Sequence, residues 1–343
     1  MKQMNLTPRT PMSYRPSFRF RPEYVLLLVL VLEVLFFQIN GRNFGTRDNV
    51  ENMVRHSVEL GLLALALLPV ILTGGIDLSV GSLLGLCAVV LGKLWRDAGL
   101  PWPAAAALTL GFGALAGGFN ALLITRLRLP PLIVTLGTYS LFRGLAEALT
   151  RGTDAFTNFP ASFLDLGGGR AAGLPVQAWI FLLVAVGVWA LVHRTTFGRS
   201  LRAIGFSPEG ARYAGLPVSS RQTLVYVLSG TIAALASVTY TARLGTAKAD
   251  AGMGYELAAI TAVVLGGTSI FGGIGSVGGT LFGVATLAIL NNGLGRLPST
   301  MSHAAELSGL LTGGLLLVAL TGLRLSTQWS LRPRSRGSGV RHF

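Results

Sequence analysis

Few residues in this chain have both a type and a setting suited to chemistry. Asp77 sits within Gly74-Gly75-Ile76-Asp77-Leu78-Ser79-Val80-Gly81, a short break between two apolar runs. A carboxylate held away from water needs a partner. Asp77 therefore either caps a helix starting near Leu78, accepting bonds from free backbone donors, or borders a polar path and carries protons. Asn120, in GALAGGFNALL, and Asn291 with Asn292, at the end of another apolar run, have the same two uses. Their amides bond across helices as structural glue, or they contact a solute. Glu59, Glu147 and Glu306 each have arginines to pair with, and Arg143 is spaced four residues from Glu147 for an intrahelical pair.

Other chemistries are excluded by spacing. The four histidines, His56, His193, His303 and His342, share no metal-ligand spacing, and Cys87 is the only cysteine. No Ser/His/Asp set or flanking pair of carboxylates can be assembled, so no catalytic residue is expected. Gly273-x-Gly275-x-x-Gly278 matches a dinucleotide fingerprint in letters only. No strand precedes it, and no acid follows about 20 residues on to hold a ribose. A P-loop pattern is absent from the whole sequence. The chain is expected to bind no cofactor or metal, and any ATP that drives it must sit on a separate subunit.

The elements that position these residues are membrane segments. Of 343 residues, 51% are hydrophobic and 12% charged, about half the charge of an ordinary soluble domain. The 45 glycines lie mainly inside the apolar runs, as close helix packing in lipid requires. The fold class read from this is an all-α polytopic membrane protein with about ten transmembrane segments, some broken or re-entrant. The segments are 24–39, 57–73, 76–95, 103–125, 131–149, 176–193, 222–243, 256–271, 276–294 and 303–323. The run after Tyr24 lacks a small-residue cleavage site and reads as a retained helix. An even count puts both termini on one side. Placing them in the cytoplasm puts 17 Lys/Arg on that side and 10 on the other, with Arg143 inside a segment, which fits the positive-inside rule. The formal charge of +14 is thus spread over tails and loops, without the interleaved aromatic and basic surface of a nucleic-acid binder. No nucleic-acid partner is expected; membrane lipid is.

The longest internal basic break is 194–221, with five arginines and one acid. It contains a short helix marked at both ends. Ser207 is a good N-cap, Pro208 suits the first helical position and Glu209 places an acid at the positive end of the dipole. Gly215 can take the left-handed C′ conformation and Pro217 prevents continuation. Alone, about two turns of helix are marginal in water, so this helix either serves as a capped connector or docks against a partner. Separately, the break at 72–81 resembles one at 266–279; both run Gly-Gly-Ile and then Ser-Val-Gly. That similarity points to two related halves with broken helices, as transporters have.

Four stretches together resemble a known family. They are GGIDLSVGS (Gly74–Ser82), LPPLIVTLGTYSLFRG (Leu129–Gly144), TTFGRSLRAIGFSPEGARYAGLPV (Thr195–Val218) and AITAVVLGGTSIFGGIGSVGGTLFG (Ala259–Gly283). The chain resembles, from about Tyr24 to Leu323, the permease subunits of bacterial ABC importers of the monosaccharide type. These handle ribose, xylose, rhamnose and autoinducer-2, within the branched-chain amino acid permease superfamily. The resemblance implies an inner-membrane permease domain at 24–323, between cytoplasmic tails 1–23 and 324–343. It implies partners: a cytoplasmic ABC ATPase carrying ATP-Mg, an external (periplasmic or extracellular) substrate-binding protein and a second permease chain, identical or not. Ser207, Pro208, Glu209, Gly210, Ala211, Arg212 and Gly215 would form the ATPase-coupling helix of the loop 194–221. Here Glu209-Gly210-Ala211 departs from the family's Glu-Ala-Ala, and the glycine weakens the helix by about 1 kcal/mol. The loops around Asp154–Asp165 and 244–255 would face the binding protein. Asp77, Asn120, Asn291 and Asn292 remain path or structural polar residues. An ion-coupled secondary transporter of a small polar solute, with Asp77 and Glu147 carrying the coupling, is the rival reading.

Overall fold

The computed structural model describes residues 22–297 and isolated positions between 309 and 321. Twelve α-helices follow one another over 22–297: α1 (Pro22–Asn40), α2 (Arg47–Leu72), α3 (Val80–Arg96), α4 (Trp102–Thr125), α5 (Pro131–Leu149), α6 (Ala161–Gly168), α7 (Val176–Trp189), α8 (Thr196–Phe206), α9 (Pro208–Tyr213), α10 (Val218–Leu244), α11 (Tyr255–Leu265) and α12 (Val277–Leu294). A two-residue antiparallel hairpin, β1 (Arg170–Ala171) with β2 (Leu174–Pro175), precedes α7, and one π-helical turn (Ala190–Arg194) extends it. Six helices among the described residues are long and apolar enough to cross a membrane: α2, α4, α5, α7 with its π turn, α10 and α12. The apolar segment 303–323 lies largely outside the described residues, as do Glu306, His303 and most of both tails.

The bundle is built around α2. Every residue from Val58 to Leu72 is buried, so this stretch is apolar nearly all round, as a helix enclosed by others must be. The helix starts ten residues before the apolar segment expected at 57–73. Its first turns are polar, with Asp48 near the start and an Arg47–Glu51 ion pair at 3.1 Å, so hydropathy alone cannot see them. Against α2 lies α10, which in turn meets α4 at backbone distance. Gly113 and Gly117 of α4 face Gly230 and the Tyr226 carbonyl of α10, and a Cβ at either α4 glycine would overlap those backbone atoms. Small residues permit that approach.

Two of the expected segments are shorter than their apolar runs. Residues 76–79 are not helical, and α3 starts at Val80. Helix α11 has 11 residues, about 16 Å and roughly half the hydrocarbon thickness. Residues 266–276, expected to be partly helical, form an irregular connection instead. The first and second glycine-rich breaks lie side by side, with Gly273 N–H donating to the Leu72 carbonyl at 3.0 Å.

Candidate functional site

The helix expected at 207–215 is present as α9. Ser207 has extended backbone and its hydroxyl accepts from Gly210 N–H at 3.0 Å. Pro208 and Glu209 occupy the first turn. At the other end, Gly215 N–H donates to Arg212 and Leu216 N–H to Ala211, both at 3.0 Å, with Gly215 at φ +81°. These are the paired bonds of a Schellman close, and Leu216 packs beside Ala211 as such closes require. Ala211 alone among the α9 residues is buried, against Ile204 and Val218. Around this anchor the surface is open: Tyr213 is 92% and Phe206 68% exposed. Neither aromatic stood out in the sequence, yet exposed rings on a basic face are what a protein partner grips.

Helix α8 was not anticipated within the 194–221 loop. The signal was there: Thr195 caps Gly198 N–H at 3.2 Å, and Phe197, Leu201 and Ile204 recur at helical spacing. Its role is to join α9 to the membrane core. Gly205, on the last turn of α8, is wedged between the two breaks. A Cβ there would overlap the Leu72 carbonyl oxygen, Gly273 N and Gly272 C. Nearby, Arg202 donates to Val192 O at 3.1 Å and to Gly275 O at 3.4 Å. Its guanidinium also lies 3.3 Å from His193 Nδ1, while Val277 N–H reaches His193 Nε2 at 3.3 Å. A neutral imidazole accepts at one nitrogen only, so one of these two contacts is made at a time. Helix α8 thus touches both breaks, just ahead of the N-termini of α3 and α12.

Asp77 and Asn120 are brought together, as part of a closed cluster. Asp77 Oδ1 accepts from Ser79 N–H at 3.0 Å and from Ser79 Oγ at 2.6 Å. Its Oδ2 accepts from Ser229 of α10 at 3.0 Å, and Asn120 of α4 donates to Ser79 Oγ at 2.9 Å. All four residues are buried, and Thr135 of α5 donates to Ile76 O at 3.1 Å. Helix α3 starts at Val80, two residues later than expected, so Ser79 and not Asp77 stands at its N-cap, and the bond from Ser79 N–H closes a turn just ahead of the helix. The Tyr226 hydroxyl and Asn120 Oδ1 lie buried without a partner at this cluster's edge, the hydroxyl against Gly75. This arrangement ties four helices together.

Asn291 and Asn292 lie elsewhere. Asn292 exchanges amide bonds with Asn49 of α2, at 2.8 and 3.1 Å. Both Asn291 and Asn292 line a cleft of about 420 Å³ with Asn52, His56, Ser57 and Arg296. No acid lines it. The expected Arg143–Glu147 pair does not form. Arg143 is buried and turns to the 245–254 loop, donating to the Ala249 and Ala251 carbonyls, whereas Glu147 faces outward. Chain carbonyls on a neighbouring loop hold that guanidinium where a flexible i,i+4 partner would not. Glu59 does find an arginine, but a remote one: Arg243 of α10, at 2.8 Å in a buried pair. The loops around Asp154–Asp165 and 244–255 are joined by a two-bond bridge between Phe156 and Ala247, at 2.9 and 3.0 Å.

A helical membrane bundle in which a capped basic loop helix is joined through α8 to two glycine breaks has the parts of a transporter. A family model described as the permease component of the branched-chain amino acid transport system matches residues 49–320. The chain belongs to this permease family. The permease is 36% identical over 333 residues to the autoinducer 2 import system permease protein LsrD of Yersinia pseudotuberculosis serotype IB (strain PB1/+), covering 94% of this chain and 98% of that one. LsrD of Yersinia pestis (strain Pestoides F) is also 36% identical, over 329 residues, 93% of this chain and 97% of its own. Among solved structures, an ABC transporter in an inward-facing conformation matches 87% of this permease and 98% of its own chain. Its TM-score is 0.50 at 18% identity, a likeness of fold. The permease is thus a multi-pass inner-membrane subunit of an ABC importer, a transport component and not an enzyme. Such permeases work with an ATPase and a substrate-binding protein.

Proposed function

We propose that this permease translocates a monosaccharide or sugar-like small molecule by alternating access, driven by ATP-Mg on an ATPase docked at α9. The LsrD relatives, whose names give autoinducer 2 as their import substrate, support a sugar-like small solute. So do the described residues: the open cleft of α2 and α12 offers amide and hydroxyl edges with no acid. About ten spans in two related halves, both termini in the cytoplasm and a second permease chain complete the assembly. The coupling role belongs to Ser207, Pro208, Glu209, Gly210, Ala211, Arg212 and Gly215. The observation that carries it is the wedge of Gly205 between the two breaks. Force applied to α9 passes through the Ala211–Ile204 contact into α8, and from Gly205 into both breaks. An ion-coupled transporter built on Asp77 finds no support in a carboxylate already bonded to two serines.

The test is Gly210→Trp in a complex reconstituted with the co-encoded ATPase and binding protein. Membrane insertion should be normal and substrate-stimulated ATP hydrolysis lost, with pull-down separating failed assembly from failed coupling. Normal assembly, stimulation and uptake would make α9 a connector only.

A further inference from the structure

We propose that a cleft between α4, α9 and α10 binds the phosphate headgroup of an anionic membrane lipid at the cytoplasmic leaflet. The cleft has a volume of about 700 Å³ and is lined by Arg126, Arg212, Thr125, Ser219, Ser220 and Thr223, among others. Two guanidiniums and four hydroxyls converge there, and among the described residues no acid lines it. Arginine forks match phosphate oxygens, and the Ser219 and Ser220 hydroxyls supply further donors, whereas those of Thr125 and Thr223 already donate to the Ala121 and Ser219 carbonyls.

What selects a lipid is the wall above the cleft. Leu108, Leu115, Phe119 and Leu122 of α4 are all at least 42% exposed. They recur at steps of seven, four and three residues and so form one stripe, which leads directly to Arg126. The opposite face of α4, with Gly113, Gly117 and Asn120, is buried against α10 and the Asp77 cluster. From Leu108 to Leu122 the stripe runs about 21 Å, longer than one leaflet of a ~30 Å hydrocarbon core. Leu224, at the start of α10 and 48% exposed, extends it on the cleft's other side. An acyl chain therefore has an apolar track that ends where a phosphate would meet two arginines. Basic pockets at the cytoplasmic ends of helices take anionic headgroups for this reason. Because Arg212 belongs to α9, the lipid would touch the same short helix that docks the ATPase.

The placement at the cytoplasmic leaflet rests on the proposed orientation; the binding does not. The purified permease, without its ATPase, is exposed to mixed phosphatidylglycerol and phosphatidylcholine and the retained lipid measured by native mass spectrometry. Phosphatidylglycerol should be retained preferentially. Arg126→Gln, which removes one of two cationic partners, should reduce that preference about fivefold, and Ser219→Ala with Ser220→Ala should reduce it further. Arg170→Gln, at an exposed arginine far from the cleft, should leave it unchanged. Excess inorganic phosphate should not displace the lipid, because it cannot occupy the α4 stripe. An unchanged preference in Arg126→Gln overturns the proposal. So does complete displacement by phosphate, which would make the cleft a free-anion site, or crosslinking of a Ser220→Cys variant to the ATPase in the intact complex, which would make it a protein contact. External labelling of Ser207→Cys with the lipid preference intact would instead overturn the proposed orientation alone.

Discussion

The two glycine-rich breaks share a motif and solve the same structural problem differently. Each must start a new helix, α3 or α12, from irregular chain. In the second break Ser276 does this itself, its hydroxyl accepting from Gly279 N–H at 3.0 Å. In the first, Ser79 stands at the matching position but makes no such side-chain cap. Asp77, for which the second break has no counterpart acid, accepts from Ser79 N–H instead. That substitution releases the Ser79 hydroxyl to bridge Asp77 and Asn120. The first break is consequently locked into α4 and α10, while the second is held through α8 and His193 and leaves Phe271 80% exposed. One break is tied into the α4–α10 pair, the other mainly to α8. Similar letters do not imply equal stiffness.

The largest effect should come from Gly205→Val, which drives a branched side chain into the backbones of both breaks at once. Overpacking costs about 1–3 kcal/mol where neighbours can shift, and backbone atoms shift least, so uptake should vanish with the protein level reduced. Normal uptake in this variant would show that the breaks are not coupled through α8. Next, Asp77→Leu should lower the yield of folded protein, since Ser79 and Ser229 would be left unpaired at about 1–3 kcal/mol. Asp77→Asn, which still caps and accepts, should keep most uptake. Uptake abolished in Asp77→Asn at normal protein level would turn the anchor into a functional carboxylate.

The motif serines should then differ in rank. Ser79→Ala strands the buried Asn120 amide and should cost more, by thermal unfolding in detergent, than Ser276→Ala, a simple cap loss of about 1 kcal/mol. The reverse order would break the comparison. Smallest is Asp97→Asn at the far end of α3. The hydrogen bond from Arg96, then that from Lys93, holds the Asp97 carboxyl below the usual carboxylate range. A depressed value adds stability at neutral pH that is lost as pH falls through it. This group is exposed, so neither acidification to its titration range nor Asp97→Asn should measurably change uptake relative to the Asp77 variants.

Much of this was legible in the sequence where local chemistry decides. The α9 helix, with Ser207 and Gly215 at its ends, is specified by residues within a turn of one another. The apolar runs of α4, α5 and α12 have nearly the expected ends for the same reason. The remote pairings were not legible. Nothing near Glu59 names Arg243, 184 positions away, and nothing near Asn120 names Ser79. The four-residue spacing of Arg143 and Glu147 is visible in the sequence, and a loop carbonyl is not. In helix α8 the arginines mask the helical spacing of Phe197, Leu201 and Ile204.

The interlocked glycines of α4 and α10 have one more consequence. Where Gly113, Gly117 and Gly230 put backbone against backbone, sliding one helix a turn past the other would bring Asn120 or Tyr226 into a gap that holds no side chain. The pair has to travel as one rigid body. Any opening of the membrane path is then left to the shorter pieces around it, above all the half-length α11 and the irregular chain that follows it.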